Sequence, residues 1–87
     1  MIVQAACRVK IPEFECIRII PVHRHGDIGK ILFEFGYKPG ECKIIEQGFL
    51  DNYGMFYSRH EAMVEAKKCG QKLIGEETEE LFSENLY

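Results

Sequence analysis

The stretch PVHRHGDIGK, residues 21–30, gathers His23, Arg24, His25 and Asp27 just ahead of a helical pattern, and Arg59-His60 repeats the basic–imidazole pair at the start of a second one. Residues of these types support three kinds of chemistry. In an extended chain His23, His25 and Asp27 lie on one side, and His60 from another element completes a four-ligand metal set. The helical spacings HxxxH and HExxH are absent, however, and no cysteine is adjacent. Solvated or core histidines are therefore the simpler expectation, with no metal and no cofactor.

Catalysis has less to stand on. A hydrolytic or transfer site needs a nucleophile oriented by a base, or two carboxyl groups with separated pKa values. The serines are Ser58, which the pattern uses as a helix cap, and Ser83 near the end of the chain. Asp27 and Asp51 sit at turns that explain them, and no cysteine has an electropositive neighbourhood in sequence. The chain is not expected to be an enzyme.

Anion binding fits better, because Arg24-His25 precedes the first helix and Arg59-His60 opens the second. Helix N-termini offer unpaired N–H groups and partial positive charge, and a guanidinium adds a bidentate contact to phosphate. Bases could stack on Phe49, Tyr53, Phe56 and Tyr57 around the second cap. Ordinary solvated charges and core rings remain the competing explanation.

These groups need a scaffold. Val3, Ala5, Cys7, Val9 and Ile11 alternate with mostly polar residues, the period of a strand with one buried face. After Pro12-Glu13, residues 14–20 (FECIRII) read as a second strand that Pro21 ends. Ile28, Ile31, Leu32 and Phe35 then define an amphipathic helix of about ten residues, capped near Asp27 and closed by Gly36. Residues 42–50 and 54–57 flank DNYG as a second hairpin, and Ser58 to Glu61 match the capping box of a final helix burying Ala62, Ala66, Cys69 and Leu73. The order ββαββα predicts an α+β fold, an antiparallel four-stranded sheet with two helices on one face.

At 87 residues the chain makes a single domain, 1–87, with an acidic and aromatic tail over residues 76–87. It is 46% apolar and 29% charged, a globular composition, and no apolar run is long enough to span a bilayer. No leader is evident, so a soluble protein is expected. Four scattered cysteines without a CxxC pair imply buried free thiols in a reducing compartment. The net charge of −3 conceals an asymmetry: residues 1–72 carry 11 basic and 9 acidic side chains, whereas the remainder holds glutamates and no base. A slightly basic body can hold a small anion but has no stripe of cations for duplex nucleic acid. A chain this small best builds a closed pocket between copies, so a homo-oligomer is expected.

The segments RHGDI, QGFLDNYGMFYSRHEAMVEAKKCGQ and ELFSENLY, in that order, resemble phage-encoded Thoeris anti-defence proteins, sponges for cyclic nucleotide immune signals. The resemblance covers residues 24–35, 47–71 and 81–87, a little over half of the chain. It implies a phage protein acting in the host bacterial cytoplasm, binding a cyclic ADP-ribose isomer or a cyclic oligonucleotide without cleaving it. It singles out Arg24, His25, Gln47, Phe49, Phe56 and Arg59 as ligand contacts, with Gly48 beside them. Met55 and Ser58 depart from the family's Arg and Asp, and no role carries over to them. The alternative function is a protein interaction module that inhibits a host defence protein through its surface or acidic tail.

Overall fold

The computed structural model describes residues Met1–Tyr87. Its strands are β1 (Ile2–Lys10), β2 (Arg18–Val22), β3 (Lys43–Asp51) and β4 (Phe56–Ser58), and its helices α1 (Ile28–Glu34) and α2 (Arg59–Lys68), with short 3-10 turns at His25–Asp27 and Ser83–Asn85. The four strands form one antiparallel sheet in the order β2-β1-β3-β4. Both helices drive their apolar side chains into one core with the same face of the sheet, so the α+β arrangement of four strands and two helices is the observed one.

Strand register decides which residues share that face. Ala5, Cys7 and Val9 of β1 stand beside Val22 and Ile20 of β2 and Phe49 and Gln47 of β3, and Tyr57 of β4 lies next to Phe49. Ile28, Leu32, Ala62, Met63 and Ala66 from the helices and Leu81 from the tail close the core over them. Ala6, Arg8, Glu46, Gly48 and Phe56 occupy the opposite face, because side chains alternate across a strand.

Several expectations need correction. Val3 is 43% exposed, because a register shift between Ile2 and Gln4 interrupts the alternation. β2 begins at Arg18 and runs through Pro21, which pairs with Ala6. Proline is tolerated there because β2 is an edge strand whose outward N–H needs no partner. α1 starts at Ile28 as expected but has seven helical residues rather than about ten, it follows a separate 3-10 turn, and Phe35 is 72% exposed. Its end is as expected: Gly36 adopts φ 98°, and the amide of Tyr37 reaches back to the Leu32 carbonyl at 3.0 Å. In α2 Met63 takes the buried place expected for Cys69, which lies beyond the last helical turn and is exposed. Only Cys7 is buried; Cys42 is half-buried, Cys16 is exposed, and all four thiols are free.

Asp51 holds the β3–β4 hairpin. Its Oδ1 accepts from the amides of Tyr53 and Met55, both at 2.9 Å, and its Oδ2 accepts from the Tyr57 hydroxyl at 2.9 Å. Burial works against this carboxylate, but the bonds from Met55, Tyr57 and Tyr53 outweigh it and hold Asp51 below its ordinary value. The hairpin brings Phe56 across Gly48, where a Cβ would overlap the Tyr57 carbonyl oxygen and the Phe56 ring. Gly48→Ala therefore lowers stability by about 1–3 kcal/mol, the usual cost of overpacking, read as a lower urea midpoint. Gly26→Ala, where a Cβ meets nothing within 4 Å, serves as the neutral control.

Candidate functional site

Two helix starts and one strand meet at His25. The turn His25–Asp27 is fixed by the Asp27 amide donating to the Arg24 carbonyl at 3.0 Å and by the Asp27 carboxylate accepting from the Arg24 amide at 3.3 Å. Asp27 thus caps this turn rather than α1, for which its side chain makes no capping bond. At the other helix Ser58 is the N-cap: Glu61 donates its amide to Ser58 Oγ at 3.1 Å, and Glu61 Oε1 accepts from the Ser58 amide at 3.0 Å. These bonds set where Arg59, the first residue of α2, begins.

The imidazole of His25 is 5% exposed and edge-on to the Phe49 ring, with centroids 5.0 Å apart. Its Nε2 lies 2.7 Å from the Gly48 carbonyl oxygen and its Nδ1 3.1 Å from Arg59 Nη2. A carbonyl only accepts and a guanidinium only donates, so the proton sits on Nε2 and the Nδ1 lone pair faces Arg59. The ring is neutral in this arrangement. Burial pushes the His25 pKa down, and Arg59 adds to this, against the Gly48 hydrogen bond and the more distant Glu84.

Arg59 Nη2 also donates to Gln47 Oε1 at 2.8 Å, and its guanidinium lies 4.7 Å from the centroid of the Phe82 ring. Arg24 lies under the Tyr87 ring, 5.2 Å from its centroid, and donates through Nη2 to the Tyr87 main-chain oxygen. Tyr87 in turn stacks on His23, with centroids 4.4 Å apart. The segment 81–87 packs on the body of the same chain: Leu81 is fully buried, its amide donates to the Arg59 carbonyl at 2.9 Å, and Ser83 and Asn85 are buried. Asn85 fastens the loop before it, its side-chain nitrogen donating to the Ile74 and Glu76 carbonyls at 2.8 and 3.1 Å. Glu76, Glu77, Glu79 and Glu80 remain exposed.

The structure therefore brings together four of the six residues singled out by sequence, His25, Gln47, Phe49 and Arg59, while Arg24 adjoins His25 in the chain but turns its guanidinium to Tyr87. Phe56 stands apart, on the opposite face of the sheet over Gly48 and 5.9 Å from the Arg8 guanidinium carbon. The reason is parity, since Phe56 pairs with Leu50, one residue along from Phe49. The sequence reading missed His23 as a stacking partner and Phe82 and Tyr87 as covers of the two arginines. Their signal was present in the aromatic residues of the tail, but nothing local says which cation each ring meets. His60 is exposed, and no three of the His, Cys, Asp and Glu side chains converge as metal ligands.

Two donors at this site have no partner within the protein, Arg24 Nη1 and Arg59 Nε. Neither arginine lines any of the four surface depressions, because the tail covers both. Cys7 lies near enough to feel Arg59, yet burial pushes its pKa up to about 11, so it remains a thiol. The site thus offers guanidinium donors without an activated nucleophile.

The sequence matches the description "Phage T4 y16D protein" over residues 1–87. The chain belongs to this phage T4 y16D family. It is thus a phage protein, and the match spans the sheet, both helices and the tail that covers Arg24 and Arg59. No curated protein and no solved structure matches the chain. No helix is long and apolar enough to cross a membrane.

The charge state of His25 has a measurable consequence. Folding favours the neutral ring, so the unfolded chain takes up the proton first as pH falls. The stability carried by neutral His25 is complete above its ordinary value of 6.5 and is lost progressively below it. Urea midpoints measured across this range should fall with pH in the native protein and fall less in His25→Gln.

Proposed function

We propose that this phage protein is an anti-defence sponge that binds a cyclic nucleotide immune signal, a cyclic ADP-ribose isomer or a cyclic oligonucleotide, in the host cytoplasm and holds it intact. The observation that carries this reading is the meeting of two helix starts at His25, whose imidazole faces Arg59 Nη2 at 3.1 Å, while Arg24, the residue before it, lies against Tyr87. Each guanidinium keeps a donor that the protein leaves unpaired and lies against an aromatic ring. Those are the needs of a ligand with phosphate oxygens and flat bases.

The same site suits retention rather than turnover. His25 spends both ring nitrogens on Gly48 and Arg59, so it has no free lone pair with which to activate water or a hydroxyl. Cys7 is protonated. Gln47 holds Arg59 by a neutral contact at 2.8 Å, which fixes the guanidinium without cancelling its charge. A second copy of the chain would wall the ligand from the open side, where one copy by itself leaves Gln47 exposed.

Calorimetric titration with cyclic ADP-ribose isomers and cyclic dinucleotides should release heat, and the ligand should be recovered chemically unchanged after the complex is heated. Arg59→Ala should weaken binding by about 1.5–3 kcal/mol, the usual worth of a hydrogen bond to a charged group. Absence of heat across the panel, or release of a cleaved nucleotide, removes the reading.

A further inference from the structure

The half-buried Tyr87 makes an unusual set of contacts. Its ring stacks on His23 at 4.4 Å and lies over the Arg24 guanidinium at 5.2 Å, while its main-chain oxygen accepts from Arg24 Nη2. A flat ring stacked on an imidazole and close to a guanidinium, with an oxygen acceptor on that same guanidinium, is a pattern by which proteins hold a nucleobase and its neighbouring phosphate. Arg24 Nη1 stays buried without a partner, so the residue satisfies the guanidinium only in part.

The remaining attachments of Tyr87 are long hydrogen bonds. Its hydroxyl accepts from the Ala5 amide at 3.3 Å and donates to the Val22 carbonyl at 3.4 Å, and its amide donates to the Ser83 carbonyl at 3.3 Å, all at the long end of the range. The residues just before it are held differently. Leu81 is fully buried, and Asn85 Oδ1 accepts from the Phe82 amide at 2.9 Å while the Asn85 side chain grips the loop at Ile74 and Glu76. Leu86 follows with its amide donating to the Ser83 carbonyl at 3.0 Å and its side chain packed on the core, so the short bonds of the tail end one residue before Tyr87. Tyr87 also walls a depression of about 410 Å3 that includes Ile2, Gln71, Lys72 and Leu86. Moving Tyr87 aside would open that space onto Arg24, with Lys72 at the rim for a second phosphate.

We propose that Tyr87 is a built-in place-holder for a nucleotide, and that a ligand enters by displacing it, setting a base on His23 and a phosphate on Arg24. The proposal rests on the sponge reading and adds to it a base subsite, formed by His23, and a self-blocking residue. The closed arrangement keeps the imidazole of His23 and the guanidinium of Arg24 covered until a ligand that supplies base and anion together competes for them. An anion without a base replaces only the oxygen contact and so displaces Tyr87 poorly.

The probes are cyclic ADP-ribose, cyclic di-AMP and inorganic pyrophosphate, titrated into the full chain. In the native protein a cyclic nucleotide should move the Tyr87 ring resonances, shifted by stacking on His23, to the positions of an exposed tyrosine, whereas pyrophosphate should not. Tyr87→Ala should bind the same nucleotide about tenfold more tightly, as expected when a closed state holding about nine-tenths of the molecules is removed. His23→Ala in that background should cancel the gain. Nucleotide binding with unmoved Tyr87 resonances, or with affinity unchanged or reduced in Tyr87→Ala, overturns the place-holder and leaves the sponge reading standing. Failure of the native protein and of Tyr87→Ala to bind either cyclic nucleotide overturns both.

Discussion

A neutral imidazole caught between a carbonyl oxygen and a guanidinium organises this protein. His25 can satisfy Gly48 and Arg59 at once only as the Nε2-protonated tautomer, and only if the turn before α1, the third strand and the start of α2 arrive at one point. A second proton on the ring would set two positive groups 3.1 Å apart in a buried place. The bond is thus a constraint on geometry and on charge together. It explains why Arg59 leans across the sheet edge toward Gln47, where a residue at the first turn of a helix would ordinarily extend into solvent.

The tail depends on that arrangement. Phe82 needs a fixed guanidinium to lie over, and the Leu81 amide donates to the Arg59 carbonyl. Burying Leu81, Ser83 and Asn85 supplies apolar area and polar contacts that an 87-residue chain has little other means of acquiring. Both arginines are consequently half-covered by the protein's own aromatic residues. Cations covered by rings rather than paired with side-chain carboxylates keep their charge, and the glutamates of the tail, Glu76 to Glu80, stay exposed. The chain's acidity and its candidate site occupy different parts of the fold.

Hairpin geometry separates two functions of the aromatic residues around Gly48. Phe49 faces the core and buttresses His25, while Phe56 crosses the bare Cα of Gly48 on the other side of the sheet. One residue without a side chain lets β4 approach closely enough for Tyr57 to reach Asp51, which ties down the turn immediately ahead of Ser58. The register of a three-residue strand therefore sets the position of the α2 cap, and through it the position of Arg59.

Much of the scaffold was legible in the chain. Alternation in β1, the DNYG turn, the Ser58–Glu61 capping box and the Gly36 stop are local signals, carried by residues within a few positions of one another, and they dictated the element order and the placement of Arg24-His25 and Arg59 at helix starts. Pro21 and Val3 misled because their meaning depends on whether a strand is an edge and where a bulge falls, which is settled between strands. Likewise only the assembled sheet could put Phe56 on the far face, since pairing with Leu50 rather than Phe49 is a matter of register. The partners of the cations, His25 with Arg59, Arg59 with Phe82 and Arg24 with Tyr87, are separated by up to 63 residues. Local sequence determines what each residue offers; which offers meet is decided by packing, because a contact across the chain forms only after every intervening element has taken its place.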